Sequence, residues 1–340
     1  MKCLSVLSLQ RLHREVPLAS LFPRIRSLTP GAFVLTPGAE PAPGYRLRRM
    51  RGRGGFAEVW EADAPSGQTV ALKFMPSMNA TSTARELRSL QSLLPLKHPH
   101  LLPAYDVWCV PGYIVIVMEL ADATLLDLML LYHNELGQPI ETSLLCRYLW
   151  QVADALDFLN ARQHSREGRK VGFQHGDVKP NNILLVGETA KLSDYGLATP
   201  THGPVTPCPR QGTREYAAPE IFTGYYSERS DQFSLAVTYY VLRTGAFPFP
   251  ALPTELPRQF SRPAPDLTLV TPAEQPPLQR ALAPVPQDRY PTCREFMADI
   301  LKAHRYKVVR DSDDHWLIIR DKKRSSTVTT VSLLRRPPHA

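Results

Sequence analysis

The chain reads as an α+β protein of two lobes, the first rich in strands and the second rich in helices. Three observations predict this. Residues 45–75 divide into three short strand-like runs, punctuated by the glycine cluster at 52–55 and by Pro65-Ser66-Gly67. Residues 142–160, 231–243 and 291–304 repeat apolar positions at helical spacing. No repeat of solenoid or propeller length is present, and a run of strands followed by a run of helices marks α+β.

Taken in order, residues 1–44 form an extension that prolines at 17, 23, 30, 37, 41 and 43 keep from any long periodic element. Its short apolar stretch, broken by Gln10 and Arg11, does not make a secretory signal, and a poorly ordered leader is expected. The first lobe spans 45–120. After its three strands, Leu87, Leu90, Leu93 and Leu94 share one face of a helix expected over 83–96. The apolar run 113–120 (YIVIVMEL) predicts a strand covered on both faces.

The second lobe spans 121–304. Its long core helix, 142–160, is followed by a polar, basic insert at 161–172 and a loop bounded by hydrophobic residues. The helix at 231–243 stops at Thr244-Gly245, and the last helix, 291–304, begins at a proline. Proline is nearly twice as frequent as the usual ~5%, with 33 in 340 residues, and 12 fall in 248–291, predicting loops and short helices there. Residues 305–340 form a basic tail in which His315–Ile319 and Val328–Val331 are candidates for a small hairpin.

The formal charge of +8 does not describe a basic protein. Residues 1–44 carry +3 and residues 305–340 carry +5, while 45–304 holds equal numbers of each sign. That distribution argues against nucleic acid as the partner. Cys3, Cys109, Cys146, Cys208 and Cys293 lie far apart with no C-x-x-C, which excludes the common zinc signatures. Free thiols in a reducing, cytoplasmic compartment are expected. No run approaches the ~20 apolar residues of a membrane span.

Four motifs carry the chemistry. Gly52-Arg53-Gly54-Gly55-Phe56-Ala57-Glu58-Val59 combines a strand turn with exposed backbone N–H groups, which suits phosphate. Lys73 ends the apolar run Val70-Ala71-Leu72, where a buried ammonium needs a carboxylate; Glu86 is the expected partner, ahead of Glu58 and Glu61. His175-Gly176-Asp177-Val178-Lys179-Pro180-Asn181-Asn182 places a carboxylate, an ammonium and an amide on one tight loop, and Asp194-Tyr195-Gly196 follows. Gly212-Thr213-Arg214-Glu215-Tyr216-Ala217-Ala218-Pro219-Glu220 closes the series.

In this order and spacing the motifs resemble the serine/threonine protein kinases, over roughly 45–304. The texture is similar to bacterial kinases of the eukaryotic type with a His-Gly-Asp, non-RD catalytic loop. The resemblance implies the bilobal kinase fold, ATP with Mg²⁺ (or Mn²⁺), and a protein substrate with a Ser/Thr acceptor. It implies that Asp177 orients the acceptor hydroxyl, that Lys179 stabilises the transferring phosphoryl group, and that Lys73, paired to Glu86, holds the phosphates. Asn182 and Asp194 take the metal ions. Gly52, Gly54, Gly55, Phe56, Ala57, Val59 and Ala71 cover the nucleotide. Met118 lies at the back of the adenine pocket, with Glu119 and Ala121 offering backbone hydrogen bonds and Asp122 or Asp127 near the ribose. Thr213 is placed to bond Asp177 and Lys179, Asp231 to brace the catalytic loop or cap its own helix, and Arg289 to pair with Glu220.

The departures are informative. Gly176 stands where most regulated kinases carry an arginine that gathers an activation-loop phosphate, so activity without that phosphorylation is expected. Candidate phosphosites remain at Thr199, Thr201 and Thr206. Tyr195 and Ala57 replace a phenylalanine and a glycine conservatively. A pseudokinase would have lost Lys73, Asp177 or Asp194, and none is lost. A small-molecule phosphotransferase shares His-Gly-Asp but lacks the Lys179 and Ala-Pro-Glu features.

Overall fold

The computed structural model describes residues 33–54, 57–77, 80–91, 93–166, 168–194, 198–201, 203–208, 212–255, 260–310 and 316–321. In the first lobe, β1 (Arg46–Arg53), β2 (Glu58–Asp63), β3 (Thr69–Pro76), β4 (Ala104–Val110) and β5 (Tyr113–Glu119) form one antiparallel sheet. Its order is β1-β2-β3-β5-β4. The apolar run of β5 therefore lies between two strands, with Ile114, Val115 and Val117 buried. Sequence patterning misses β4 because it is an edge strand: Tyr105, Asp106 and Cys109 are exposed and Val107 is its one fully buried residue.

Helix α1 (Ala80–Gln91) begins three residues earlier and ends five earlier than the leucine spacing suggests. Pro95 disfavours helical geometry at Leu94 and supplies no N–H, so the chain leaves the helix in tight turns. Leu93 N–H bonds Leu90 O at 3.0 Å and Leu94 N–H bonds Gln91 O at 3.3 Å. The leucines still do the packing expected of them: Leu90 joins Val107 and Ile114 in a cluster flanked by Leu87 and Leu94. Residues 33–44 do not behave as a loose leader. Phe33, Leu35 and Ala39 pack on the sheet's core, and Leu47 N–H bonds Ala39 O at 2.9 Å. Residues 1–32 lie outside the described residues.

The second lobe opens with β6 (Ala123–Thr124), α2 (Leu125–Leu136) and α3 (Thr142–Asn160), the last with the predicted bounds. The insert expected to be a polar loop is a hairpin, β7 (His164–Arg166) and β8 (Arg169–Gln174), turning at Gly168. Beyond the loop at 175–182 come β9 (Ile183–Val186), β10 (Thr189–Leu192), β11 (Thr199–Thr201), β12 (Val205–Pro207) and β13 (Tyr225–Ser227). The central helix α4 (Ser230–Thr244) is buried continuously from Ser230 to Leu242 and ends at Gly245, whose φ of 75° few other residues adopt cheaply. After it lie α5 (Gln275–Ala281) and α6 (Cys293–Ala303); Thr292 caps the latter, so Pro291 precedes the cap.

A hairpin forms in this tail. β14 (Tyr306–Arg310) pairs with β15 (Trp316–Arg320), and Tyr306, Val308 and Ile318 pack against the core of the second lobe. His315, Lys322-Lys323-Arg324 and Val328–Val331 lie outside the described residues. Among the described residues no helix is long and apolar enough to cross a membrane, and Cys109, Cys146, Cys208 and Cys293 are free thiols.

Candidate active site

A cavity of about 280 Å³ lies where the sheet meets the helical lobe. Gly52, Val59, Ala71, Lys73, Met118, Glu119, Ala121, Asn182 and Asp194, all named from the family resemblance, line it. So do Leu102 and Leu184, and Arg51, whose guanidinium bonds the carbonyls of Ala121 (3.2 Å) and Asp122 (3.0 Å). These three carry no signal in the sequence, since apolar residues and strand arginines are common everywhere. Gly54 and Ala57 close the strand turn through Gly54 N–H to Ala57 O at 2.8 Å. Gly55 and Phe56 lie outside the described residues, as do Tyr195 and Gly196.

At the inner edge of the sheet the backbone N–H of Glu119 is donated to Pro103 O at 3.1 Å, so this residue can serve a base only through its carbonyl. Asp122 and Asp127 both line the cavity with carboxylates already engaged. Asp122 accepts from Gly187 N–H at 2.9 Å, and Asp127 closes a capping box with Thr124 at the start of α2.

Below the cavity the catalytic loop is held by buried groups. His175 is fully enclosed; its Nε2 bonds Ser193 O at 2.8 Å and its Nδ1 accepts from Asp177 N–H at 3.2 Å, the pattern of a neutral imidazole protonated on Nε2. Asp231, in the first turn of α4, accepts from the N–H groups of His175 (2.6 Å) and Gly176 (2.9 Å). Its carboxylate is thus spent on bracing; the N-cap residue Arg229 makes no side-chain cap, and the Asp231 N–H is donated to Gln174 Oε1 at 3.3 Å.

Asp177 sits at the centre of this arrangement. Its Oδ1 accepts from Thr213 N–H at 2.8 Å, and its Oδ2 meets Lys179 Nζ at 2.7 Å and Asn182 Nδ2 at 2.9 Å. Lys179 also donates to Thr213 Oγ1 at 2.6 Å. Burial works to raise the Asp177 carboxyl, but Lys179 and Thr213 outweigh it and hold the group below the usual carboxylate range. Asp177 and Lys179 stand one residue back from the cavity wall and reach it through Asn182.

Lys73 Nζ forms an ion pair with Asp194 Oδ1 at 2.5 Å, a partner not named from the sequence; Glu86, the expected one, lies half-buried on α1 and is not among the residues lining the cavity. Lys73 and Glu86 lie on separate elements, and where α1 sits against the sheet is decided by packing rather than by spacing. Burial tends to raise the Asp194 carboxyl and the Lys73 ammonium lowers it further, leaving it ionised. Its φ of 65° is left-handed, a strain of order 1 kcal/mol that clusters at functional sites.

The donor set fits a hard cation held jointly with a nucleotide. Asn182 and Asp194 present amide and carboxylate oxygens to one cavity, and Mg²⁺ is commonly held by one or two such side chains together with phosphate oxygens. Among the described residues no group of three or more His, Cys, Asp or Glu side chains could hold a metal alone.

The glycine of the His-Gly-Asp loop has a structural counterpart. Gly176 has φ 78°, and a Cβ there would fall 2.4 Å from the hydroxyl of Tyr226. Tyr226, on β13 and 2% exposed, fills the space a side chain at 176 would need. Strand β13 also pairs in register with β12, Thr206 facing Tyr226, so the same strand anchors the segment between Asp194 and Glu220. At the end of that segment Glu220 and the fully buried Arg289 form two parallel hydrogen bonds of 2.9 and 2.8 Å.

The protein kinase domain model matches residues 45–308. The chain belongs to the protein kinase family. It is 30% identical over 308 residues to the serine/threonine-protein kinase PknH of Mycobacterium bovis, covering 86% of this chain and 49% of that one. Against the serine/threonine-protein kinase PknD of Mycobacterium tuberculosis it is 33% identical over 261 residues, 72% of this kinase chain and 37% of the relative. Against CBL-interacting protein kinase 4 of Oryza sativa it is 36% identical over 219 residues, 60% and 45% respectively. The chain thus spans about half or less of the curated relatives it matches. The two-lobed α+β architecture is the kinase fold, and bacterial serine/threonine kinases are among its relatives.

Proposed function

We propose that this chain transfers the γ-phosphate of ATP to a serine or threonine hydroxyl of a protein. The observation that carries this is the cluster Asp177–Lys179–Thr213–Asn182 set against a cavity that Lys73 and Asp194 line from the other side. Asp177, an anion fixed by three donors, orients the acceptor hydroxyl and takes its proton. Lys179, 2.7 Å from Asp177, places positive charge where the transferring group passes. Lys73 holds phosphate oxygens, and Val59, Ala71 and Met118 enclose the base. Mg²⁺, held by Asn182 and Asp194, would neutralise charge on the phosphates. Positioning and electrostatics supply most of the acceleration in such a site.

Activity without activation-loop phosphorylation is part of the proposal. With Gly176 packed against Tyr226, position 176 offers no guanidinium to a phosphate, and the β12–β13 ladder holds the segment by backbone bonds.

Transfer from labelled ATP to a Ser/Thr-rich protein tests the reaction. Asp177→Asn is expected to lower kcat by about 10²–10⁴, with ATP affinity measured by calorimetry unchanged. Equal turnover by the wild type and this variant would remove the reading.

A further inference from the structure

Between Gly245 and Glu274 the described residues contain no helix, and this proline-rich loop carries a buried arginine that the reaction scheme does not use. Arg262 is 8% exposed. Its Nε donates to Ala217 O at 3.0 Å, and one terminal nitrogen donates to Arg214 O at 2.5 Å and Glu215 O at 3.0 Å. Its plane lies over the rings of Phe249 (4.9 Å), Phe222 (5.1 Å) and Phe233 (5.9 Å). Among the described residues no carboxylate forms a direct salt bridge with it, although the Glu215 charge favours its ionised form. Burial lowers its pKa to about 10, which still leaves it charged at neutral pH.

A cation satisfied by three backbone carbonyls and three aromatic faces is a specific construction. Lysine has neither the fork nor the flat face to reproduce it. The carbonyl that Arg262 leaves over, Tyr216 O, accepts from Ser234 at 2.9 Å, so four consecutive carbonyls are pinned from below. The grip is mutual: the Arg214 guanidinium bonds Pro253 O and Thr254 O, and Phe260 packs edge-on against Phe222.

The pinned residues 214–217 directly follow Thr213. They are folded onto it by Tyr216 N–H to Thr213 O at 3.1 Å and Ala217 N–H to Arg214 O at 3.2 Å. Thr213 in turn bonds both Asp177 and Lys179. We infer that Arg262 is a positioning residue for phosphoryl transfer, fixing the 214–217 turn so that Thr213 holds Asp177 and Lys179 in their working geometry. This rests on the kinase reading above. Arg262 does not line the cavity; it acts through the backbone.

The test compares Arg262→Met, Arg262→Lys, Thr213→Ala and the double variant Thr213→Ala/Arg262→Met in the full chain. Rates are expressed per nucleotide-binding site, counted by ATP titration, so that loss of folded protein does not register. Arg262→Met is expected to lower kcat at least tenfold with the Kd for ATP within twofold. Arg262→Lys should recover part of the loss, and the double variant should be no slower than the worse single variant. Wild-type kcat in folded Arg262→Met, or multiplied losses in the double variant, would overturn the inference. If Arg262→Met does not fold, wild-type kcat in Arg262→Lys overturns it and a loss of threefold or more upholds it. An inactive wild type, no faster than Asp177→Asn, would instead overturn the kinase reading and take this inference with it.

Discussion

At the scale of single residues the site is a set of charges held where burial alone would neutralise them. Asp177 and Asp194 are each pushed up by desolvation and brought back down by an ammonium, from Lys179 and Lys73 respectively. Motif spacing makes these four residues legible, because three of them belong to two short stretches of chain and the fourth follows a recognisable apolar run, within β3. The reason for Gly176 was not legible, since the group that forbids a side chain there lies fifty residues away on β13. Gly176→Ala is expected to destabilise the fold by about 2–3 kcal/mol, from positive φ and overlap with the Tyr226 hydroxyl. In a Tyr226→Phe background the same change should cost less, as read by urea denaturation of the four proteins. Equal losses in both backgrounds would place the strain elsewhere.

At the scale of elements, periodicity served helices better than strands. Helix α3 was legible to the residue, because Leu145, Leu149, Val152 and Leu156 repeat along one buried face. The edge strand β4 and the hairpin β7–β8 were not, because exposed and polar residues interrupt the alternation that marks a strand, although each pairs with its neighbour in the chain. The ladder between β12 and β13 belongs to this second kind and bears on regulation. If it holds the segment carrying Thr206 without phosphate, phosphatase treatment should leave most of the transfer activity in place. Intact-mass measurement before and after treatment confirms removal of phosphate. Loss of most activity on dephosphorylation would refute the independence proposed above.

At the scale of the whole molecule, buried ion pairs tie separate parts of the second lobe together. Glu220 and Arg289 are the clearest case, joining the end of the activation segment to the turn before α6. Burial tends to raise the Glu220 carboxyl, but Arg289 and Ser230 bring it below its ordinary value. A carboxyl depressed in the folded state contributes stability above its unfolded pKa, and that contribution is lost as pH falls through the folded value. The melting temperature should therefore fall on acidification below about pH 4.3, the ordinary glutamate value, and Glu220→Gln should narrow its gap to wild type there. Parallel curves would exclude the pair as a source of acid sensitivity. Arg289→Met leaves a buried carboxylate unpaired and is expected to cost about 3–5 kcal/mol at neutral pH by denaturant titration.

The linear order of residues marks the family of this chain and the residue types gathered at its candidate site. Spacing within a loop or along one helix survives translation into three dimensions, so the catalytic loop, the Lys73 strand and the long helices were readable directly. Which groups meet across the fold is decided by packing. Lys73 meets Asp194, 121 residues on; Gly176 meets Tyr226; Arg262 meets the turn at 214–217; and β15 pairs with β14. Each of these contacts depends on how elements stack, and stacking is set by burial summed over the whole core rather than by any local pattern.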